Sequence, residues 1–392
     1  MPKLLQLNVT ANWGSTGKIA EGIGRAAMKC GWESKIGFGR MSNPSQSDII
    51  KVGSQKDVYL HYARHRLIDG EGLGSRDATL RLIDRIKEYS PDIIQLHNIH
   101  DHWLNYPVLF EYFASIPTPI VWTFHDCWAF TGRCSHFESI GCEKWLEGCG
   151  HCPMRSKFAI DRSSTNYNIK KRLFTTIGQR LTVVCVSDWL ADYVRRSFLK
   201  DCDVITINNG IDTNSFKPAV NIAKDKMILG VSNVWPDYKG LPDFIRLREI
   251  LPDDIKITLV GLTKKQISCL PAGINGITRT ADIRELIKMY SQAAIFVNPT
   301  HNDSFPTVNL EALSCGTPVI TYRTGGSPEA IDEKTGIIVE KGDINGLAGA
   351  IMSVIDRERT YSSDDCRSRA VSHFNSITQF DKYIRLYESL LS

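Results

Sequence analysis

Ten short apolar runs, separated by longer stretches of helical period, constrain this chain more than any other feature. KLLQLNV, DIIQLHNI, PIVWTFH, LTVVCVS and VITINN stand in the first half, and KMILGVS, IKITLVG, AAIFVNP, PVITYR and TGIIVE in the second. Most are nearly unbroken, without the strict alternation of a sheet with one wet face. That is the pattern of strands covered on both sides by helices, as in a parallel sheet. Strand followed by helix, repeated this often, predicts an α/β chain of Rossmann-like, doubly wound parallel sheets. At 392 residues the chain exceeds the usual single core, so two domains facing a central cleft are expected. The polar, turn-rich segment NGIDTNSFKPAVNIAKDK marks the junction, giving an N-terminal domain over 1–210 and a C-terminal domain over 211–376. The last stretch, 377–392, places Ile377, Phe380, Ile384, Tyr387 and Leu391 at helical spacing and is expected to pack back on the first domain.

Charge limits the partners. The net charge is only +4, with the basic excess dispersed over the first half. Clustered basic residues interleaved with aromatics are missing, so no nucleic acid is expected as partner. A mildly basic surface of this kind suits an anionic lipid face or an anionic substrate. The start, MPKLLQLNVTANW, holds too short an apolar run for a secretory leader, and no run approaches the roughly 18 residues of a membrane span. The expectation is a cytoplasmic protein, with peripheral contact at the inner membrane as a further option.

The stretch NWGSTGKIAEGIG at 12–24 looks at first like the phosphate cradle of an ATPase. A P-loop needs Gly, four residues, then Gly-Lys-Ser/Thr. Here Asn12 stands at the first Gly and Ile19 follows Lys18, which removes that reading. What is left is a strand, a glycine turn and a helix with the stripe Ile19, Ile23, Ala26, Ala27 and Cys30, which Ser15 or Thr16 can cap. Free N–H groups at a helix start attract phosphate with or without hydrolysis, so Gly14 and Gly17 are candidates for contact with a ligand.

The richest segment is PTHNDSFPTVNLEALSCGTPVITYRTGGSPE at 299–329. Pro306 suits the first turn of a helix with Ser304 or Asp303 as its cap, Gly316 ends that helix, and Pro318 opens the next strand. Asp303 and Glu311 are then about 12 Å apart along the helix axis. The pair Gly325-Gly326 could offer backbone N–H groups to a ligand.

With its two acidic residues separated by seven, then LEALSCGTPVI and TGGSPE, this segment resembles the signature of retaining glycosyltransferases of the GT-B fold, family 4 (glycosyltransferase group 1). VSDWLADYV, NNGIDTNSFKP and SNVWPDYKGL extend the resemblance over nearly the whole chain, and TFHDCWAFTGRC resembles the polysaccharide-biosynthesis branch. The resemblance implies a nucleotide-sugar donor, transfer with retention, and no cofactor or metal in catalysis. It also implies a glycan or polyprenyl-diphosphate-linked acceptor, in capsule, lipopolysaccharide or exopolysaccharide synthesis. Glu311 would bind the ribose hydroxyls, Asp303 the transferred sugar, Lys239 the diphosphate and His125 the sugar. The backbone of Ser304, Phe305 and Pro306, with Gly14, Gly17, Gly325 and Gly326, would face the donor. Asp303 stands where Glu is commonest and Asn233 where a basic residue is usual, so Arg279, Arg323 or Lys18 is expected to assist Lys239. The alternatives are a GT-B epimerase or phosphorylase, or a nucleotide-sugar-binding module without catalysis.

Two further clusters stand out. His97, His100 and His102 in LHNIHDHW run from a strand end into a loop, which spreads their rings and favours lining a cleft or touching an acceptor over ligating a metal. Cys134, Cys142, Cys149 and Cys152 form C-x7-C-x6-C-x2-C. Four thiolates could close around a structural zinc that ties down a long insertion; unligated thiols and a redox role are the other readings.

Overall fold

The computed structural model describes residues 1–154 and 160–392. The chain divides into two units, Met1–Asn208 with Gln379–Ser392, and Asn209–Thr378. The first unit contains β1 (Lys3–Asn8), β2 (Glu33–Phe38), β3 (Asp48–Lys51), β4 (Ile93–Leu96), β5 (Ile120–Phe124), β6 (Leu181–Cys185) and β7 (Asp203–Thr206). They form one sheet in the order β3-β2-β1-β4-β5-β6-β7. The second unit contains β8 (Asp225–Val231), β9 (Lys256–Val260), β10 (Ile274–Ile277), β11 (Ala293–Asn298), β12 (Val319–Tyr322) and β13 (Gly336–Val339), in the order β10-β9-β8-β11-β12-β13. The pairing is parallel throughout, with Leu5 opposite Lys35 on one side and Ile94 on the other, and Ile228 between Ile257 and Ile295.

All ten apolar runs are strands. The three additional strands escaped the pattern for a physical reason: β3 and β10 are four-residue sheet edges, β3 largely exposed and β10 interrupted by Asn275 and Gly276, and β2 carries Ser, Lys and Gly in ESKIGF. Helix α1 (Gly14–Lys29) lays Ile19, Ile23 and Ala27 onto Leu4, Ile93, Val121 and Val184. Burying each of the two isoleucines contributes about 1.5–3 kcal/mol. The helix α2 (Gln55–Ile68) differs, since His61 is its single buried side chain.

The terminal helix Ser376–Leu391 contributes Tyr383, Ile384 and Tyr387 to the first unit's core. Its buried face is rotated from the one the spacing predicted: Ile377 and Leu391 are exposed, and Tyr383 is buried instead. Polar partners beneath the helix decide this. The Tyr387 hydroxyl donates to Gln95 Oε1 at 2.9 Å, and the Tyr383 hydroxyl pairs with Thr123 Oγ1 at 3.1 Å. The Phe380 ring lies where a Cβ on residue 22 would stand, so Gly22 permits the crossing.

In each sheet the strand order reverses once, between β1 and β4 in the first and between β8 and β11 in the second. Turns leaving the carboxyl ends of strands at such switch points are where open α/β sheets hold ligands. The turns after β1, β4 and β5 carry Gly14, His97 and His125. Those after β8, β11 and β12 carry Lys239, Asp303 and Gly325. Among the described residues, no helix is long and apolar enough to cross a membrane.

Candidate active site

In the second unit, Lys239 and Asp303 come together although they are 64 residues apart: Nζ lies 2.6 Å from Asp303 Oδ2, and both side chains are about three-quarters buried. Two turns make this meeting. The Tyr238 carbonyl accepts from the His301 N–H at 2.7 Å, and Gly240, at φ +85°, packs where a Cβ would overlap the Pro299 carbonyl. Around Asp303, the Phe305 N–H donates to Oδ1 at 3.3 Å. The Gly326 N–H, expected to face a ligand, donates instead to the Asp303 carbonyl at 3.3 Å. Gly325 has φ +56°, and a Cβ there would overlap that same carbonyl oxygen. Asn302 Oδ1, Ser304 Oγ and Thr324 Oγ1 are buried beside this turn without hydrogen-bond partners.

Glu311 lies on the helix Thr307–Ser314 and accepts from the Tyr290 hydroxyl at 2.8 Å. Burial and the Glu311 charge push the Tyr290 phenol well above its ordinary range, so it donates and does not ionise. A buried network anchors the helix: Asn298 Nδ2 donates to Asn309 Oδ1 (2.8 Å), Asn309 Nδ2 to Ser327 Oγ (3.0 Å), and Ser327 Oγ pairs with Thr321 Oγ1 (2.6 Å). The helix starts later than the sequence suggested. Pro306 occupies the cap position, without a side-chain cap bond, so Asp303 and Ser304 belong to the preceding turn and the 12 Å axial spacing does not apply.

In the first unit, α1 also begins before its expected caps: Gly14 is its first residue and Trp13 stands at the cap without a side-chain bond. Gly14, at φ +65°, has open space where its side chain would be, whereas a Cβ on Gly17 would press on Thr10 Oγ1. Gly17 therefore serves close helix packing, and Gly14 is the glycine with room for a ligand.

The histidines after β4 and β5 separate into different partnerships. Gln6 Nε2 donates to the Ala20 carbonyl at 2.8 Å, which leaves its Oε1 to accept from His97 Nε2 at 3.2 Å. His97 Nδ1 is then an acceptor, and its partner at 3.2 Å, His125 Nε2, carries a proton. Two hydrogen bonds thus set His125 as the Nε2–H tautomer with a bare Nδ1. Burial lowers the His125 pKa to about 4 and pushes His97 well down too, so both rings are neutral at pH 7. His100 goes the other way. Burial opposes its charge, but Asp126 at 2.9 Å and Asp101 outweigh that and raise it well above imidazole's usual value; burial likewise opposes Asp126's charge, and His100 outweighs it to bring Asp126 to about 2.

The residues that match the model described as Glycosyltransferase Family 4 are 40–215, and those that match the model described as Glycosyl transferases group 1 are 225–357. The chain belongs to glycosyltransferase family 4. Among curated proteins, this glycosyltransferase is 25% identical to one from Escherichia coli (strain K12) named as the colanic acid biosynthesis glycosyl transferase WcaC, over 99% of this chain and 100% of that one. It is also 25% identical to the capsular polysaccharide biosynthesis glycosyltransferase CapM of Staphylococcus aureus, over 53% of this chain and 62% of CapM. Among solved structures it superposes on sucrose-phosphate synthase from Thermosynechococcus elongatus with TM-score 0.74, 17% identity, and coverage of 100% and 99%. Anabaena HepE in complex with UDP gives 0.67, 16%, and 99% and 100%. These likenesses show the GT-B fold.

Several of these partners could not be read from the sequence: Gln6 behind His125, Tyr290 behind Glu311, and Tyr238 and His301 beside Lys239; His97 was legible as a cleft-lining candidate, but its bond to His125 was not. Arg323, named as an assistant to Lys239, is instead bound to Glu340 at 2.7 Å. In the cysteine lobe, the Cys134 and Cys152 thiols are hydrogen-bonded to each other, and Cys149 Sγ accepts from the Gly132 N–H at 3.1 Å. Among the described residues, no cysteine joins a group of three ligand atoms within 4.8 Å of one another.

The folded pKa of His125 lies below the ordinary value near 6.5, so the unfolded chain takes up its proton first. This ring therefore costs stability as pH falls from about 6.5 towards 4. His100, raised, contributes stability below about 6.5 that is lost only when pH rises through its folded value. In long-range ¹⁵N NMR at pH 6, His100 is expected as the imidazolium and His125 as the neutral Nε2–H form; a His125 ring titrating near 6.5 would contradict the relay.

Proposed function

We propose that this chain transfers a sugar from a nucleotide-sugar to a glycan or polyprenyl-diphosphate-linked acceptor. Transfer retains the anomeric configuration, uses no metal in the chemical step, and serves capsule, lipopolysaccharide or exopolysaccharide synthesis. The observation that supports this most is the Lys239–Asp303 pair at the carboxyl ends of β8 and β11. When the glycosidic bond breaks, negative charge grows on the departing diphosphate. A fixed ammonium at Lys239 and the backbone of Ser304, Phe305 and Pro306 stabilise it more in the transition state than before. Asp303 accepts hydrogen bonds from the sugar's hydroxyls, Glu311 from the ribose, and the leaving phosphate takes the acceptor's proton. His125, neutral with a bare Nδ1, accepts from a sugar hydroxyl, and Gly14 offers its open backbone to the ligand. The names of WcaC and CapM support the polysaccharide destination, and the UDP in HepE supports a nucleoside-diphosphate donor.

A ligand that binds only the folded state at about 100 times its Kd stabilises it by about 2.7 kcal/mol. Within a panel of nucleotide-sugars, at least one is expected to raise Tm by several degrees and to be consumed when acceptor is added. Binding without turnover on any acceptor would favour a non-catalytic module, and a shift with no nucleotide-sugar would reject the reading.

Two accessory features belong to the same proposal. Peripheral contact with the cytoplasmic face of the inner membrane is assigned to α2, which exposes Tyr59, Leu60 and Leu67 beside Lys56, Arg64 and Arg66. Such a surface suits anionic lipid, and failure to float with phosphatidylglycerol vesicles would reject it. A structural zinc on Cys134, Cys142, Cys149 and Cys152 is supported by the paired Cys134 and Cys152 thiols and the N–H bond to Cys149, an arrangement the ion would draw closed. Zinc content unchanged by Cys149→Ser would reject it.

A further inference from the structure

Among the described residues, two histidines hold a buried ring nitrogen that lacks a hydrogen-bond partner, and they lie side by side. His65 Nδ1 and His102 Nε2 are both shielded from solvent without a hydrogen-bond partner. His65 Nδ1 lies 3.6 Å from Glu71 Oε2, too far for a hydrogen bond. One ring nitrogen from each histidine and a Glu71 carboxylate oxygen all lie within 4.8 Å of one another. A buried polar atom left unsatisfied costs about 1–3 kcal/mol, and here two imidazole nitrogens converge on one carboxylate.

We propose that His65, Glu71 and His102 bind a divalent transition-metal ion, zinc being the best match, as a structural clasp separate from the sugar-transfer chemistry. Bonds of about 2.0–2.1 Å in a tetrahedral site place neighbouring ligand atoms ~3.3 Å apart, so the observed 3.6 Å between His65 and Glu71 needs only a small side-chain adjustment. Two imidazoles with one carboxylate select zinc and its neighbours over magnesium or calcium, which take oxygen ligands.

The nearby groups are otherwise engaged, which defines the ligand set. His61 Nε2 accepts from the Gly74 N–H at 3.2 Å and its Nδ1 pairs with Ser75 Oγ at 3.0 Å. His100 Nε2 is committed to Asp126. Glu71 Oε1 accepts from the Asp101 N–H at 3.4 Å, an outer bond that orients the carboxylate. Asp101 and His102 both take left-handed backbone, φ +72° and +68°, and this brings the His102 ring edge-on to His65 with centroids 5.0 Å apart. His65 sits near the end of α2, whose one buried side chain is His61, so the ion supplies an anchor that apolar packing does not. It ties α2 to the turn whose His100 holds Asp126 beside His125.

Cobalt(II) is the probe, because its spectrum reports the ligand type. Chelator-treated full-length protein, reconstituted with cobalt, is expected to show a visible band that Glu71→Gln and His102→Asn remove. Zinc is expected to raise Tm of the parent and to slow proteolysis within α2, with at least tenfold weaker binding in both variants. Glu71→Gln preserves the shape, so a folded variant is available for the comparison. Binding that is equal in parent and variants, or a cobalt spectrum showing only thiolate charge-transfer bands sensitive to Cys149→Ser, would overturn the proposal. So would parent protein that takes up no cobalt or zinc.

Discussion

Replacing Lys239 with alanine is expected to lower kcat for sugar transfer by about 10²–10³-fold, the usual effect of removing one group aimed at developing charge. Tm should move by only a few degrees. Without donor, Lys239 is neutralised by Asp303 at 2.6 Å, and both groups keep about a quarter or less of their side chains exposed. Removing one partner of a fully buried pair costs about 3–5 kcal/mol, but Asp303 keeps some access to water, so the cost of leaving it unpaired falls below that range and the fold stays intact. The same ammonium matters far more when charge grows on a phosphate, because that interaction strengthens as the bond breaks. The signature is therefore a fall in kcat with KM nearly unchanged. Steady-state kinetics at saturating donor, beside a melting curve, test both halves. A variant with parental kcat would remove Lys239 from the site, and a collapsed Tm would mean that the pair is structural.

Glu311→Ala should differ in kind. A carboxylate that holds the ribose binds donor and transition state alike, so its removal raises the donor KM, by about tenfold or more, with a smaller effect on kcat. Losing a hydrogen bond to a charged group costs about 1.5–3 kcal/mol, the range that gives such a factor. Glu311 also accepts from Tyr290, whose fully buried hydroxyl would lose that partner. Glu311→Gln retains an acceptor for Tyr290 while removing the charge, and separates the two effects. If Glu311→Ala turns over normally at low donor concentration, the ribose assignment fails. If Glu311→Gln restores Tm but not KM, the assignment stands.

The fold class was legible because it depends on short-range pattern. Unbroken runs such as LTVVCVS and AAIFVNP bury residues on both faces, and that periodicity is written locally. The strands that escaped lack such a run for different reasons: β3 and β10 are edges with less to bury, and β2, inside its sheet, is interrupted by Ser34, Lys35 and Gly37. The motif around 299–329 pointed to the family, and the comparisons support the glycosyltransferase reading. Helix starts were less legible: Trp13 and Pro306 stand at cap positions without side-chain caps, where tertiary contacts overrode the expected capping residues.

From the sequence alone came the two doubly wound parallel sheets, the family, and a list of chemically apt residues. Tertiary structure decided which of them meet. Lys239 reaches Asp303 because β8 and β11, far apart in the chain, are neighbours in the sheet. Gln6, His97 and His125 form one relay because β1, β4 and β5 lie side by side. The three histidines of LHNIHDHW, five residues apart at most, go to three different sets of partners. Periodicity reports how each residue is buried relative to its chain neighbours. Protonation, tautomer and ion pairing depend on groups brought close by strand order, and strand order leaves no local trace.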